Sequence, residues 1–342
     1  MDYSAIMQRC LMLAELGAGN VAPNPMVGCM ILYEDKIIAE GFHKQFGGPH
    51  AEVDAIQNAI AAGFDDFSEA TLIVNFEPCS HHGKTPPCAD LVIEKKFKKV
   101  VIASVDPNPL VAGRGIKKLK DSGIKVITGI SDAENKKSNA HFFIFQTKQR
   151  PYITLKWAQS SDGFIAKMNH EQIKLSNKFS DVLVHKMRAE HMAILVGGRT
   201  AVKDNPLLNV RLWTGKSPLR IVLDNKGFVP KNLHVLDNSI PTLIFNPLVE
   251  GKKANTEFIK CIGKNTIQQV LQYLYTQNIN SLLVEGGAIT LNDFINSGAW
   301  DAIKIFETPH ILYSGIAAPI RPELPSLKEK ILDNNLVSYY NV

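Results

Sequence analysis

No stretch of this 342-residue sequence stays apolar for the ~20 residues that a membrane-spanning helix needs, which predicts no membrane partner. The opening Met-Asp-Tyr-Ser has no basic stretch ahead of an apolar run, so no secretory leader is expected. Cysteine is scarce and odd in number: Cys10, Cys29, Cys79, Cys88 and Cys261 show no disulfide-framework spacing, which points to a reducing cytoplasm. Low-complexity tracts are absent and 45% of residues are hydrophobic, which excludes disorder as the main state. Charge of one sign is not concentrated either. The net +5 comes from 38 basic and 33 acidic residues mixed along the chain. The one dense patch, Lys95-Lys96-Phe97-Lys98-Lys99, reads as the solvated end of a helix. Basic and aromatic residues do not interleave as a single-strand path requires, so a nucleic-acid partner is not expected.

What the chain does have is length for two domains, each with its own core. Helical spacing over 4–18 gives way at Asn24-Pro25 to strands over 26–32 and 37–41 joined by a turn at Glu34-Asp35-Lys36. A helix over 50–62, a strand over 71–76, a helix over 89–95, a strand over 99–105, a helix over 116–122 and a strand over 124–128 follow. The charged, Asn/Lys-rich segment 131–150 ends at Arg150-Pro151, and a new strand starts at Tyr152, placing a boundary near 147–150. Beyond it, strands at 152–157, 193–197, 219–224, 242–245, 281–285 and 302–306 alternate with helices near 178–191, 266–277 and 290–297. Both halves therefore read as α/β, a sheet layered between helices.

Three fragments carry chemistry in the first half: His50-Ala51-Glu52, Pro78-Cys79 and Pro87-Cys88. His-x-Glu followed by two Pro-Cys units is how zinc deaminases assemble their centre. One imidazole (His50) and two thiolates (Cys79, Cys88) leave the fourth tetrahedral position of one zinc ion open to water, whose pKa the metal lowers towards ~7. Glu52 is not a ligand; it can take a proton from the water and pass it to the ring nitrogen and the departing amine. A structural zinc site would want a fourth protein ligand, which His81 or His82 could supply, but the upstream His-x-Glu favours catalysis. Eight residues separate the cysteines, and the intervening loop offers Lys84 as a point charge for a substrate phosphate.

In the second half, glycine pairs close two strands, at Val196-Gly197-Gly198-Arg199-Thr200 and Val284-Glu285-Gly286-Gly287-Ala288. They permit close backbone approach to a ligand, and a helix beginning near Thr290 would point its amides at a phosphate. Neither matches the G-x-G-x-x-G fingerprint.

Pro78-Cys79-Ser80-His81-His82-Gly83-Lys84-Thr85-Pro86-Pro87-Cys88, with Pro23-Asn24-Pro25-Met26-Val27-Gly28, Gly41-Phe42-His43 and Asp106-Pro107-Asn108-Pro109, resembles the bacterial bifunctional riboflavin-biosynthesis family, RibD. In the second half Lys156-x-Ala158-x-Ser160-x-Asp162-Gly163, Thr200-x3-Asp204-x-Pro206-x-Leu208-x2-Arg211 and Glu285-Gly286-Gly287 resemble the same family in the same order. The resemblance implies two three-layer α/β domains. A cytidine-deaminase-like zinc deaminase over 1–147 would be followed by a dihydrofolate-reductase-like, NADPH-dependent reductase over 148–342. Its implied substrate is a small phosphorylated pyrimidine: a diaminopyrimidine ribosylamine 5′-phosphate is deaminated, and its ribosyl group is then reduced to ribityl. Asn24, His43, Lys84 and Asn108 would line the deaminase pocket. Ala158, Lys174, Thr200, Asp204 and Asn225 would contact NADPH, with Gly287, Ala288, Ile289, Thr290, Leu291, Asn292 and Asp293 around its phosphates. Lys156, Gln172, Arg188, Leu208, Arg211 and Glu285 would hold the sugar-phosphate substrate. Ser161, Gln172, Lys174 and Asn225 depart from the residues usual in the family at those places. A cytoplasmic homo-oligomer is expected. The rival readings are a second half that binds without catalysing, and an RNA-base editor.

Overall fold

The computed structural model describes residues 2–80, 86–108, 111–168, 173–230, 232–263 and 265–341. The chain divides into two compact units, Met1–Gln149 and Arg150–Val342. Among the described residues no helix is long and apolar enough to cross a membrane.

The first unit runs α1 (Ser4–Glu15), β1 (Gly28–Tyr33), β2 (Lys36–Phe42), α2 (Ala51–Ala61), β3 (Thr71–Phe76), α3 (Cys88–Glu94), β4 (Lys99–Ser104), α4 (Arg114–Asp121), β5 (Lys125–Thr128), α5 (Asp132–Ser138) and α6 (Ala140–Lys148). Its sheet has the order β2-β1-β3-β4-β5. β1 is antiparallel to both β2 and β3, while β3, β4 and β5 are parallel. Alternation along the strands sorts side chains to two faces. Cys29, Ile31, Leu72, Val74, Val100 and Ile102 pack against α2, α3 and α4, and Met30, Leu32, Ile73 and Val101 pack against α1. Three layers result, as the sequence leads one to expect. Segment 131–150, given no element above, forms α5 and α6. Its aromatics explain this: Phe142 and Phe143 each lie with ring centroids 5.5 Å from that of Phe76.

The second unit runs β6 (Tyr152–Gln159), β7 (Phe164–Ala166), α7 (Lys178–Glu190), β8 (Ala193–Gly197), α8 (Gly198–Asp204), β9 (Leu219–Leu223), β10 (Thr242–Asn246), β11 (Gly251–Lys253), β12 (Thr256–Lys260), α9 (Thr266–Thr276), β13 (Ser281–Val284), α10 (Ala288–Asn296), β14 (Ala302–Glu307), β15 (Ile316–Ala317), β16 (Ser326–Ile331) and β17 (Asn334–Tyr340). Ten strands form one sheet in the order β11-β12-β10-β9-β8-β13-β6-β14-β17-β16. The strands from β12 to β14 in that order are parallel, and β11, β17 and β16 pair antiparallel at the edges. α9 and α10 cover one face through Val270, Leu274, Leu291 and Phe294. α7 and α8 cover the other through Val184 and Ala201. β7, α8, β11, β12 and β15 to β17 extend the pattern read from the sequence. β16 went unread because its side chains are exposed and lack apolar alternation.

Candidate functional site

The first site is assembled where β3 ends and α2 and α3 begin. His50 is the extended residue that immediately precedes α2, at φ −73° and ψ 162°. Glu52 lies in the first turn of that helix and is buried. Pro87 precedes α3, so Cys88 is its first residue. Backbone bonds register the two cysteines: Ala89 N–H donates to the Cys79 carbonyl at 3.1 Å, and Cys88 N–H to Cys79 Sγ at 3.3 Å. His50 Nδ1 then lies 3.6 Å from Cys79 Sγ and 3.3 Å from Cys88 Sγ. All three ligand atoms fall within 4.8 Å of one another. A tetrahedral zinc with Zn–S ~2.3 Å and Zn–N ~2.05 Å asks for N···S of ~3.6 Å, so the donor set and its spacing fit that ion. Burial, together with the charge of the Cys79 sulfur, pushes the Glu52 carboxyl up to about 7, where it can both accept and return a proton near neutrality.

Beside it, His43 and Asn24 meet. His43 Nδ1 lies 2.8 Å from the Pro49 carbonyl, which only accepts, so Nδ1 carries the hydrogen and Nε2 accepts from Asn24 Nδ2 at 3.2 Å. Burial lowers the His43 pKa, which favours that neutral form. The ring stands edge-on to His50, centroids 5.5 Å apart. Asp54, one turn after His50, accepts from Phe42 N at 3.1 Å and Lys44 Nζ at 2.7 Å, which pins the residues on either side of His43. Asn75, Asn135 and Asn139 hold the Met26 backbone through a buried amide network. Asn108 lies in the loop after β4. Lys84 lies outside the described residues.

The second unit opens two clefts. The larger, about 1070 Å³, is lined by Lys174, Thr200, Asp204, Asn225, Gly287, Ala288, Ile289, Thr290 and Asp293 among others. The smaller, about 580 Å³, is lined by Lys156, Ala158, Lys174, Arg188, Thr200, Asp204, Arg211, Glu285 and Leu291. Its floor is an ion cluster. Arg188 Nε and Nη2 each donate to Glu285 at 2.9 Å, and Lys156 Nζ is 3.9 Å from the same carboxylate. Burial alone would raise Glu285, yet Arg188 and Lys156 pull it down to about 2. Burial lowers the Lys156 pKa against the pull of Glu285. Lys174 pairs with Asp181 at 2.7 Å.

Two residues expected to line these clefts are placed elsewhere. Leu208 buries its side chain in the core with Val196, Ala201 and Val235 and has a left-handed φ of +49°, so any part it takes in binding runs through its backbone. Asn292 lines neither cleft and accepts from Ile320 N at 3.4 Å. Gln172 lies outside the described residues. The glycine pairs serve each other as much as a ligand. A Cβ on Gly286 would stand 2.8 Å from Gly197 N, and one on Gly197 would strike Thr290 Oγ1. Gly287 N–H donates to Thr200 Oγ1 at 2.8 Å, which ties the two strand ends together.

Sequence reasoning passed over several cleft residues. Arg199, Lys203 and Lys226 line the larger cleft, and their placement just after β8 and β9 was the available signal. His185 lines the smaller cleft, where burial pushes it down to about 4 and its Nδ1 accepts from Arg211 N at 3.1 Å. A lone histidine inside a helix carries no such signal in one sequence.

Two family models match the chain: the RibD C-terminal domain over residues 151–338, and the cytidine and deoxycytidylate deaminase zinc-binding region over residues 1–104. The riboflavin biosynthesis protein RibD of Aquifex aeolicus is 39% identical over 317 residues, 91% of this chain and 88% of that protein. Its counterpart in Bacillus amyloliquefaciens is 39% identical over 325 residues, 92% and 86%. Among solved structures, a Thermotoga maritima diaminohydroxyphosphoribosylaminopyrimidine deaminase/5-amino-6-(5-phosphoribosylamino)uracil reductase is similar with a TM-score of 0.91 at 38% identity. The match covers 98% of this chain and 97% of that one.

Proposed function

The chain belongs to the RibD family of bifunctional riboflavin-biosynthesis enzymes, deaminase and reductase in one polypeptide, and from that premise we propose how its residues divide the work. Residues 1–147 deaminate 2,5-diamino-6-ribosylamino-4(3H)-pyrimidinone 5′-phosphate, with release of ammonia. Residues 148–342 reduce the ribosyl group of the resulting 5-amino-6-(5-phosphoribosylamino)uracil to ribityl. The observation that carries this reading is the convergence of His50, Cys79 and Cys88 within 4.8 Å beside a buried Glu52.

His50, Cys79 and Cys88 would hold one zinc ion, which when bound supplies the Lewis acidity that makes water nucleophilic at neutral pH. Glu52 would take one proton from the attacking water and deliver it to the ring nitrogen, then take the second proton from the new C–OH group and deliver it to the amine, which leaves as ammonia as the carbonyl forms. Asn24 and the neutral His43 offer a fixed amide and imidazole to the ring, and Lys84 and Asn108 complete the pocket.

In the second unit the larger cleft suits NADPH, which when bound supplies the hydride for C1′. Thr200, Asp204, Asn225 and Lys174 contact it there, and Ala158 reaches it from the adjoining smaller cleft. Helix α10 starts on Gly287 without a side-chain cap, so its first-turn amides are available to phosphate. Arg199, Lys203 and Lys226 make the rim of that cleft basic, which favours a phosphorylated dinucleotide. Lys156, Arg188, Arg211 and Glu285 orient the sugar phosphate in the adjoining cleft, with Gln172 and the Leu208 backbone.

The test is NADPH oxidation by the purified protein, with and without a zinc chelator. With the diamino compound as sole substrate, oxidation should require the metal. With the deaminated compound it should not. Metal-independent oxidation of NADPH by the diamino compound would sink the proposed order of reactions. Ammonia release without any oxidation would leave the second unit a binding module.

A further inference from the structure

We propose that Glu77 is a positioning residue for deamination: a single buried carboxylate that closes both ends of the segment carrying Asn108 onto the strand end that carries Cys79. The proposal rests on the reading of Asn108 as a substrate contact. Glu77 follows β3 directly and is buried; its own N–H donates to the Ser104 carbonyl at 3.0 Å, so its backbone continues the β3–β4 pairing. Two residues later comes Cys79, itself held by Ala89 N–H.

The side chain accepts from four backbone N–H groups. Oε2 accepts from Asp106 N at 3.2 Å and from Gly113 N at 2.9 Å, the two ends of the segment around Asn108. Oε1 accepts from Gly115 N at 2.8 Å and Ile116 N at 3.2 Å, in the first turn of α4. α4 has no side-chain cap of its own, so a distant carboxylate fills that role and meets the positive end of the helix. Within the segment, Asp106 Oδ1 accepts from Asn108 N at 2.8 Å, and the Asn108 carbonyl accepts from Val111 N and Ala112 N, both at 2.8 Å. The Asn108 backbone is thus fixed from both sides, with Glu77 holding Asp106 before it and Gly113 after it.

The Gly113-Arg114-Gly115 sequence takes its meaning from this clamp. Gly113 has a left-handed φ of +75°, and a Cβ on Gly115 would strike the Pro78 carbonyl. Both glycines let the backbone come close enough for its amides to reach one carboxylate.

A glutamine separates the two halves of the clamp. With its oxygen on Gly115 and Ile116, Glu77→Gln turns an NH2 group towards Asp106 N–H and Gly113 N–H, donor against donor. Helix α4 stays capped while the Asn108 segment is released. Glu77→Gln should raise the deaminase KM for the diaminopyrimidine ribosylamine phosphate about ten-fold, the order expected for losing charge-assisted bonds, with kcat within about two-fold. Zinc content and NADPH oxidation on the deaminated compound should match those of the parent. Asn108→Ala should raise KM similarly, and the double variant should show no further rise. If Asn108→Ala raises KM and Glu77→Gln does not, or the two effects multiply, the positioning role is wrong. If Asn108→Ala leaves KM unchanged, the substrate-contact reading fails first and the proposal with it. Loss of zinc or a fall in kcat alone in Glu77→Gln would assign Glu77 to the cysteine centre instead. Should Glu77→Gln not fold, Glu77→Asp, which keeps the charge with shorter reach, is judged by the same criteria.

Discussion

In the first unit three ligand atoms from His50, Cys79 and Cys88 come within 4.8 Å of one another. In the second, the cleft walls are drawn from residues as far apart as Lys156 and Asp293. The first site is defined by the identity of a few side chains, because a zinc ion accepts few donor types at fixed distances. The second is defined largely by shape and by backbone: strand ends that approach through glycine, a helix start, and an ion cluster under the floor. Loss of one side chain should therefore abolish the first activity and only erode the second.

The widest separation comes from Cys79→Ser. It should remove the metal and with it all measurable ammonia release, while NADPH oxidation on the deaminated compound continues unchanged. Glu52→Gln should keep the metal and still lower deamination by about 10²–10⁴-fold. Metal analysis beside an ammonia assay checks both, and a Glu52→Gln protein deaminating at the parental rate would end the acid–base assignment.

Next in size is Arg188→Ala, which removes both direct hydrogen bonds to the buried Glu285 carboxylate and leaves it only Lys156, 3.9 Å away. The second unit should lose about 3 kcal/mol of stability and only part of its reductase activity, because breaking a buried pair costs more than the pair contributed. All three tryptophans, Trp157, Trp213 and Trp300, belong to this unit, so their fluorescence follows its unfolding in the intact chain. An unchanged unfolding midpoint would mean that Glu285 finds another partner.

Acidification should act on the same unit. Burial pushes His185 and His191 down to about 4, and Glu285 lies near 2. Each binds fewer protons folded than unfolded, so stability rises with pH. The imidazole contribution is complete above the ordinary histidine value of ~6.5 and is lost as pH falls towards 4. The Glu285 contribution goes between ~4.5 and 2. The tryptophan-monitored midpoint should therefore decline steadily on acidification below 6.5, and a flat profile down to pH 4 would contradict the neutral histidines.

Legibility in the sequence follows the same division. The strands that were read, such as those beginning at Thr71, Ala193 and Leu219, have buried β-branched and aliphatic runs on both faces. Among those that were missed, β11 and β16 are exposed and charged, so burial left no mark on them, whereas β17 is mostly buried but mixes Asn334, Asn335 and Ser338 with its apolar residues. His50, Cys79, Cys88 and Glu52 stood out by residue type and spacing alone. Glu77 did not, since a glutamate beside Pro-Cys looks like any other until its four amide donors are seen. Arg199 and Lys226 sit just past two readable strands, but the pairing of β8 with β9 is what makes them neighbours, and His185 is revealed only by the place of α7 beside the smaller cleft.

The mutual approach of Gly197 and Gly286 also bears on redesign. Because a methyl group at either position meets backbone or Thr290, that wall offers no room for reshaping the larger cleft. Engineering effort belongs on Ile165, Ile173 and Ile316, which line the same cleft with side chains that can be shortened or exchanged without parting β8 from β13.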